Sequence, residues 1–144
     1  MTQTPRSAAT ACSIHSSFLP HTDADASLAF YRDVLGFEVR LDVGGGRMRW
    51  ITVGPAGQDT AIVLHPLFEG NGITPEENAM LAGLIAKGSY FGVNLAADDL
   101  DATFAALEAA RADIVQEPID QDYGLRDCAV RDPAGNLLRI QQNA

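Results

Sequence analysis

The sequence predicts an α+β fold built from two βαβββ modules, and three observations lead to this prediction. Residues 19–39 and 95–115, which start 76 positions apart, share the order of a strand end, an Asp-rich helix start, an amphipathic stretch and a β-branched strand. The segments GPAGQDTAIVLH and DPAGNLLRIQQ repeat one turn and strand in the two halves. Apolar residues recur at helical spacing within each copy. Such a duplication guides the interpretation of every single residue.

The first module is predicted over residues 13–67 and opens with the strand SIHSSFL. A helix is predicted at 24–35, because its apolar residues fall on one face, with Asp23 as N-cap and Gly36 as C-terminal stop. The strands EVRLDV, RMRWITV and TAIVLH complete the module. The GGG at 44–46 is predicted to form a hairpin turn; a phosphate cradle is the alternative, but no helix follows the glycines.

The second module is predicted over residues 90–142, with the same order of elements. It starts with the strand YFGVNLA, continues into a helix at 99–110 with Asp98 as N-cap, and ends with the strands DIVQEP, RDCAVR and LLRIQQ. The modules and the segment between them are predicted to form one domain over residues 1–144, an ordinary domain length.

The connector between the modules, residues 68–89, contains a predicted short helix. The stretch TPEENAMLAGLIAKGS opens with Thr74 and Pro75, a combination typical of helix starts. Four apolar side chains of this stretch fall on one face: Met80, Leu81, Leu84 and Ile85. The helix is expected either to pack on a sheet or to cap a cavity, and the sequence leaves both alternatives open.

Composition restricts the partners and the location. The formal net charge is −9, so the chain lacks the basic stripe that a nucleic acid or an anionic membrane surface would require. No apolar run reaches the length of a membrane span, and MTQTPRSAATACS, which is expected to fray, has no continuous apolar core for a secretory signal. The two cysteines, Cys12 and Cys128, are expected to be free thiols in a reducing cytoplasm.

Three motifs carry a resemblance to a known family. The pattern D-x-x-x-S-x-x-F-Y at 23–31 and LGF at 35–37 lie in the first half, and R-D-P-x-G-N at 131–136 lies in the second. Together with the duplication, they resemble the vicinal oxygen chelate superfamily over residues 13–142. This superfamily includes glyoxalase I, extradiol dioxygenases and the bleomycin-binding resistance proteins. The resemblance implies mixed, curved sheets that form a cleft, and homodimers with sites near the subunit contact.

Enzymes of this superfamily hold one divalent metal with four residues, from the first and last strand of each module. The resemblance places these positions at Ser16, Val63 (or Ile62, if the register slips by one), Gly92 and Arg139. Valine and glycine offer no ligand atom, and a guanidinium has no lone pair. No metal and no cofactor are therefore expected.

Arg139 is an unusual residue for the middle of a short apolar strand. We expect its guanidinium to point into the cleft, either as a substitute for the positive charge of the metal or paired with a carboxylate of the ligand or of the protein. The alternative is a different register, in which Arg139 extends to solvent.

Two histidines are candidates for a role. His65 lies two residues after Val63 and therefore on the same face of its strand. A structural or ligand-contacting role is expected for His65, with general-base catalysis as the alternative. His21, at a strand end, is expected to be exposed or to cap the helix. The predicted ligand-binding residues are Ser16, Phe18, Trp50, His65, Tyr90 or Phe91, Asn94, Tyr123, Arg126, Arg139 and Gln141.

These features favour a metal-free protein that binds a small organic molecule, acts as a homodimer and sequesters a drug or natural product, as in antibiotic resistance. An enzyme is the alternative: a lyase, isomerase or dioxygenase, either metal-dependent through a different ligand set or using His65 with Arg139 or Arg126. A third alternative is an interaction module with a vestigial pocket.

Overall fold

A computed structural model describes residues 11–67 and 72–144. The first ten residues and the start of the connector, 68–71, lie outside the described part, and so does most of the N-terminal stretch that was expected to fray. The described residues form two four-stranded mixed sheets, each with its first and last strands parallel and its other pairs antiparallel. This arrangement confirms the predicted fold class of two βαβββ modules.

The first module has four strands and one helix, and its sheet order is β1-β4-β3-β2. The helix ends in a π-helical turn, Phe30–Val34, and a short 3₁₀ turn, Gly46–Met48, lies between the second and third strands. The elements are β1 Ser16–His21, α1 Ala24–Ala29, β2 Glu38–Val43, β3 Trp50–Gly54 and β4 Ala61–Pro66.

The connector contributes helix α2, and the second module repeats the topology of the first in the order β5-β8-β7-β6. Helix α2 spans Pro75–Ala86. The elements of the second module are β5 Gly92–Ala97, α3 Leu100–Ala109, β6 Asp113–Asp120, β7 Arg126–Arg131 and β8 Leu137–Gln142. None of the helices in the described part of the chain is long and apolar enough to cross a membrane.

The two module helices begin with equivalent aspartate caps. The side chain of Asp23 accepts a hydrogen bond from the backbone N–H of Ala26 at 3.1 Å. In the second module the cap is Asp99, which accepts from Ala102 at 3.1 Å, so the prediction of Asp98 was wrong by one residue. Asp99 is the residue that the duplication pairs with Asp23, whereas Asp98 accepts a hydrogen bond from Asn143.

The core lies between the helices and one face of each sheet. Its most buried side chains include Ile51 and Leu64 from the first module and Leu107, Leu138 and Ile140 from the second, all at most 1% exposed. One apolar cluster joins both modules, and the buried Cys128 belongs to it. Each such aliphatic side chain contributes about 1.5–3 kcal/mol when fully buried. The helix-facing sides of both sheets therefore form the core and stabilise the fold.

A buried polar junction also ties the modules together. The Tyr31 hydroxyl donates to the Asp132 carboxylate at 2.7 Å, and the amide of Asn136 donates to Asp132 at 2.8 Å and to the carbonyl of Pro20 at 2.9 Å. The other Asp132 oxygen accepts from the backbone N–H groups of residues 134–136. Burial raises the pKa of Asp132 and also that of Tyr31. The R-D-P-x-G-N motif is thus a structural junction between the two modules.

Helix α2 packs against this junction by its last turn. Thr74 and Glu77 form a reciprocal capping box at its start. Ile85 is fully buried, and a Cβ on Gly135 would collide with the carbonyl of Ile85. The remaining apolar face of α2 is only partly covered, since Met80 is 64% exposed. The contact that the structure shows is with the turn before β8, which is neither of the two alternatives left open by the sequence.

Candidate functional site

Among the described residues, each sheet has one face on which no helix packs, and we call it the open face of its module. Strand residues alternate between the two faces, and residues that are paired across strands share a face. Core residues such as Leu64 and Leu138 mark the helix side. Their neighbours Val63 and Arg139 therefore lie on the open faces.

The open face of the first module is apolar and aromatic. A row across the sheet runs from Phe18 through Val63 and Thr52 to Leu41, as the strand pairing shows. Phe18 is 52% exposed and Leu41 is 54% exposed. Because these side chains lie in one row, they form a continuous exposed apolar surface, a feature that is typical of interaction sites. The open face of the first module carries Ser16, Phe18, Leu41, Val43, Trp50, Thr52, Val63 and His65.

His65 lies among aromatic rings on this face. Its ring centroid is 6.1 Å from Phe18, 6.0 Å from Trp50 and 6.4 Å from Phe91 of the second module. Burial lowers its pKa, which favours the neutral imidazole. Its only hydrogen bond to the described residues joins Nδ1 to the carbonyl of Pro66 at 3.1 Å. These surroundings fit a ring that contacts a ligand, and within the described residues no carboxylate is hydrogen-bonded to His65 to orient it as a general base.

The open face of the second module is polar. Asn94, Arg139, Ala129 and Gln116 form one row across its four strands. Gln141 is paired with Asp127 in the next row. The two modules therefore share a topology but present surfaces of opposite chemistry.

Arg139 is held over a buried carboxylate on this face. Its Nη1 atom lies 3.4 Å from Oδ2 of Asp127 and 3.5 Å from Oε1 of Gln116. The Asp127 side chain is 0% exposed, whereas the Arg139 side chain is 41% exposed. Asp127 also accepts hydrogen bonds from the amides of Gln121 at 2.9 Å and Gln116 at 3.1 Å. Of the pairings expected for Arg139, the structure shows the one with a carboxylate of the protein.

The hydrogen bonds favour the ionised form of Asp127. Its pKa is lowered, first by the amide of Gln121 and then by Gln116 and Arg139, and these contributions outweigh the opposing effect of burial. Asp127 is therefore ionised at neutral pH, and its charge compensates that of Arg139.

Other predicted site residues lie elsewhere. Arg126 projects to the helix side of β7, where it pairs with Asp101 of α3 at 2.9 Å and with Asp120 at 3.5 Å. It therefore does not lie on the open face, contrary to the prediction. Tyr123 is 71% exposed on the turn between β6 and β7, and Tyr90 is 56% exposed before β5. His21, expected to be exposed or to cap, is buried and donates from Nε2 to the carbonyl of Arg49.

Sequence reasoning missed the residues around Arg139. Asp127, Gln116 and Gln121 carry no motif of their own. The alternation in β7 does place Asp127 opposite the core residue Cys128, which is a usable signal. The glutamines gave no signal, because the pairing of β6 with β7 shifts register on both sides of Gln116.

The family's metal positions do not fit a metal in this chain. Val63 has no donor atom, and Arg139 brings a positive charge. A Cβ on Gly92 would lie 2.7 Å from the carbonyl oxygen of Leu137, so a longer side chain is excluded without a shift of β5 or β8. Within residues 11–67 and 72–144, no three His, Cys, Asp or Glu side chains come together as a metal site.

One cleft in the described part of the chain overlaps the open faces only in part. This cleft lies between the modules and has a volume of about 800 Å³. Its walls include Leu35, Ile62 and Val93, and of the predicted site residues Asn94 alone lines it. Within the described residues, the aromatic side chains Phe18, Trp50 and His65 do not line this cleft.

The comparisons with known proteins agree with this architecture. Residues 13–140 match the family described as the Glyoxalase/Bleomycin resistance protein/Dioxygenase superfamily, and the chain belongs to this family.

Three solved structures are close in fold. The chain is 33% identical to UcmS2, with a TM-score of 0.79 over 90% of this chain and 97% of that one. It is 27% identical to TnmS3, an antibiotic binding protein from Streptomyces sp. CB03234, with a TM-score of 0.71 over 94% and 98%. It is 25% identical to a bleomycin resistance determinant encoded on the transposon Tn5, with a TM-score of 0.61 over 92% and 98%.

Proposed function

We propose that this protein is a metal-free binder of a small organic molecule and that it sequesters a drug or natural product. The observation that carries this proposal is the contrast between an exposed aromatic face and a polar face with a fixed arginine. The names of two structural relatives, an antibiotic binding protein and a bleomycin resistance determinant, support it. The loss of a usable metal position at Gly92 argues against the metal chemistry of the superfamily's enzymes.

The two faces suggest how a ligand is held. A flat aromatic body would stack on Phe18, Trp50 and His65, because rings that offer large apolar contact supply most of the affinity in such sites. Its polar edge would meet the second module. The proposed ligand-binding residues are Ser16, Phe18, Trp50, His65, Asn94, Arg139 and Gln141, with Tyr90 and Tyr123 at the margin.

The proposal includes a homodimer, because one chain leaves both open faces exposed. Leu41, Val43, Val115 and Ile119 are between 44% and 54% exposed, on the strands β2 and β6 that form the free edges of the two sheets. A second copy could cover these strands and enclose the ligand. Equilibrium sedimentation at micromolar concentration should give twice the chain mass of 15.3 kDa. A monomer that binds ligand with full affinity would contradict this part of the proposal.

We place the protein in the cytoplasm. Both cysteines are free thiols, with Cys12 exposed and Cys128 buried. An exposed free thiol is stable in a reducing compartment. Fractionation of cells that express the chain tests this location.

An enzymatic role is the second candidate, as a lyase, isomerase or dioxygenase, and one observation favours it. The neutral imidazole of His65 could accept a proton from a bound substrate. If so, His65→Phe should abolish turnover and leave binding nearly unchanged.

The test of sequestration uses daunorubicin and bleomycin as probes in isothermal titration calorimetry. We expect at least one probe to bind with saturable stoichiometry and to be recovered unchanged, as judged by mass spectrometry. Trp50→Ala should weaken this binding, whereas Trp50→Phe should largely preserve it. Chemical conversion of the probe would favour the enzyme. Binding that is insensitive to Trp50→Ala would place the ligand elsewhere.

A further inference from the structure

The ion pair on the open face of the second module has a consequence for the ligands that the protein can distinguish. Asp127 lies beneath Arg139, with one guanidinium nitrogen 3.4 Å from the carboxylate. The carboxylate is also fixed by two glutamine amides. The arginine is therefore a positioned donor whose charge is already compensated by the protein.

The geometry leaves donors available to a ligand. The hydrogen bonds of Arg139 to described residues use Nη1 alone, and the side chain is 41% exposed. Gln116 accepts from Arg139 with its carbonyl oxygen and donates to Asp127 with its nitrogen, which fixes the orientation of its amide. A ligand at this face meets the outer edge of a guanidinium that is held from below.

A compensated arginine selects ligands differently from a bare one. A carboxylate ligand would gain the attraction of Arg139 but would also feel the fixed charge of Asp127 directly behind it, and it would lose hydration on binding. A carbonyl or phenol oxygen accepts a hydrogen bond from the guanidinium at a much smaller desolvation cost.

We propose that Asp127 is a specificity-determining residue that makes the site select neutral aromatic ligands with a carbonyl or hydroxyl acceptor over aromatic anions. This inference rests on the proposed binding function and names the ligand class for that site. Asp127 acts through Arg139 and is a positioning residue, since its own side chain is fully buried.

The test compares two probes of nearly identical shape, 2-acetylnaphthalene and 2-naphthoate, by isothermal titration calorimetry. The first presents a neutral carbonyl, the second a carboxylate. The wild-type protein should bind the neutral probe more tightly. Asp127→Asn should shift the ratio of the two dissociation constants toward the anion by about tenfold, as removal of one nearby charge implies.

Two further variants make the result specific. Asp122→Asn changes the net charge equally but lies on an exposed turn with no hydrogen bond to the described residues, so the ratio should stay at the wild-type value. Arg139→Gln should shift the ratio in the opposite direction, away from the anion, because Asp127 keeps its charge. If Asp127→Asn does not fold, the wild-type preference for 2-acetylnaphthalene over 2-naphthoate still tests the inference.

The outcomes separate this inference from the proposed function. If the wild type binds 2-naphthoate more tightly, or if Asp127→Asn behaves like Asp122→Asn, the inference is wrong while small-molecule binding stands. If neither these probes nor the antibiotic probes bind, the proposed function fails and the inference fails with it.

Discussion

The two modules of this chain share one topology but differ in the side chains on their open faces and in their turns. The open face of the first module is an aromatic surface around His65, whereas that of the second is a polar network around Asp127. Their equivalent turns differ as well. The second turn buries Asp132 in a network of hydrogen bonds, and the repeated segment of the first module has Gly54 at the corresponding place. The two modules thus share one scaffold, while their side chains give the two open faces different chemistry.

The largest effect that we expect tests the difference between the turns. Asp132→Ala should lower the free energy of unfolding by about 3 kcal/mol or more, because it leaves several buried donors without an acceptor. Gln58→Ala in the equivalent turn of the first module, where the side chain is exposed, should cost less than about 0.5 kcal/mol. Urea unfolding measures both. Similar losses would show that the turns are equivalent.

The next prediction compares the contributions of the polar face and of the helix side of the same sheet to ligand affinity. Arg139→Ala should weaken a carbonyl-bearing aromatic ligand by about 1.5–3 kcal/mol, the range for hydrogen bonds to charged groups. The fold should survive, since Asp127 keeps the donors of Gln116 and Gln121. Arg126→Ala, on the helix side, is the matched control and should leave affinity unchanged. If Arg139→Ala unfolds the protein instead, this arginine is structural.

A third prediction concerns the equivalent strands β1 and β5. Gly92→His should destabilise the protein by about 1–3 kcal/mol, as overpacking does, because the new side chain meets the carbonyl of Leu137. Ser16→His, at the equivalent position of the first module, should be tolerated because Ser16 is only partly buried. Thermal unfolding of the two variants gives the comparison. If the two variants are equally stable, position 92 can accept a metal-binding side chain.

A smaller effect concerns the aromatic face, where His65 should make the stability of the protein depend on pH. The pKa of His65 is lowered by burial, so the folded protein binds fewer protons here than the unfolded chain does. Stability should therefore fall as the pH drops below the ordinary histidine value of about 6.5. His65→Phe should remove this part of the slope. Denaturant titrations between pH 5 and 8 test it, and an unchanged slope would assign the titration to other groups.

The last prediction is that divalent metals have no effect on stability. Adding Ni²⁺, Zn²⁺, Mn²⁺ or Fe²⁺ should leave the melting temperature almost unchanged, because a specifically bound metal would stabilise the folded state by mass action. Arg139→Glu should behave in the same way, since Val63 and Gly92 still offer no donor atom. A metal-dependent rise that His65→Phe abolishes would instead favour the enzyme.

Much of this architecture could be predicted from the sequence. The duplication predicted both sheets, and the spacing of apolar residues predicted the helices that are observed at Ala24–Ala29, with its π-helical extension, and Leu100–Ala109. The alternation of strand residues placed Val63 and His65 on the face opposite Leu64. These predictions succeed because they depend on local periodicity, which each segment carries by itself.

Only the tertiary structure shows which residues surround Arg139 and which residues join the two modules. Asp127 and Gln116 lie 12 and 23 positions away in the chain, and they meet Arg139 only through strand pairing and the register shifts next to Gln116. The contact of Tyr31 with Asp132 spans 101 positions. The sequence determined which side of a strand a residue occupies. Packing between strands and modules determined its partners, because register and relative placement are set by contacts that no single segment contains.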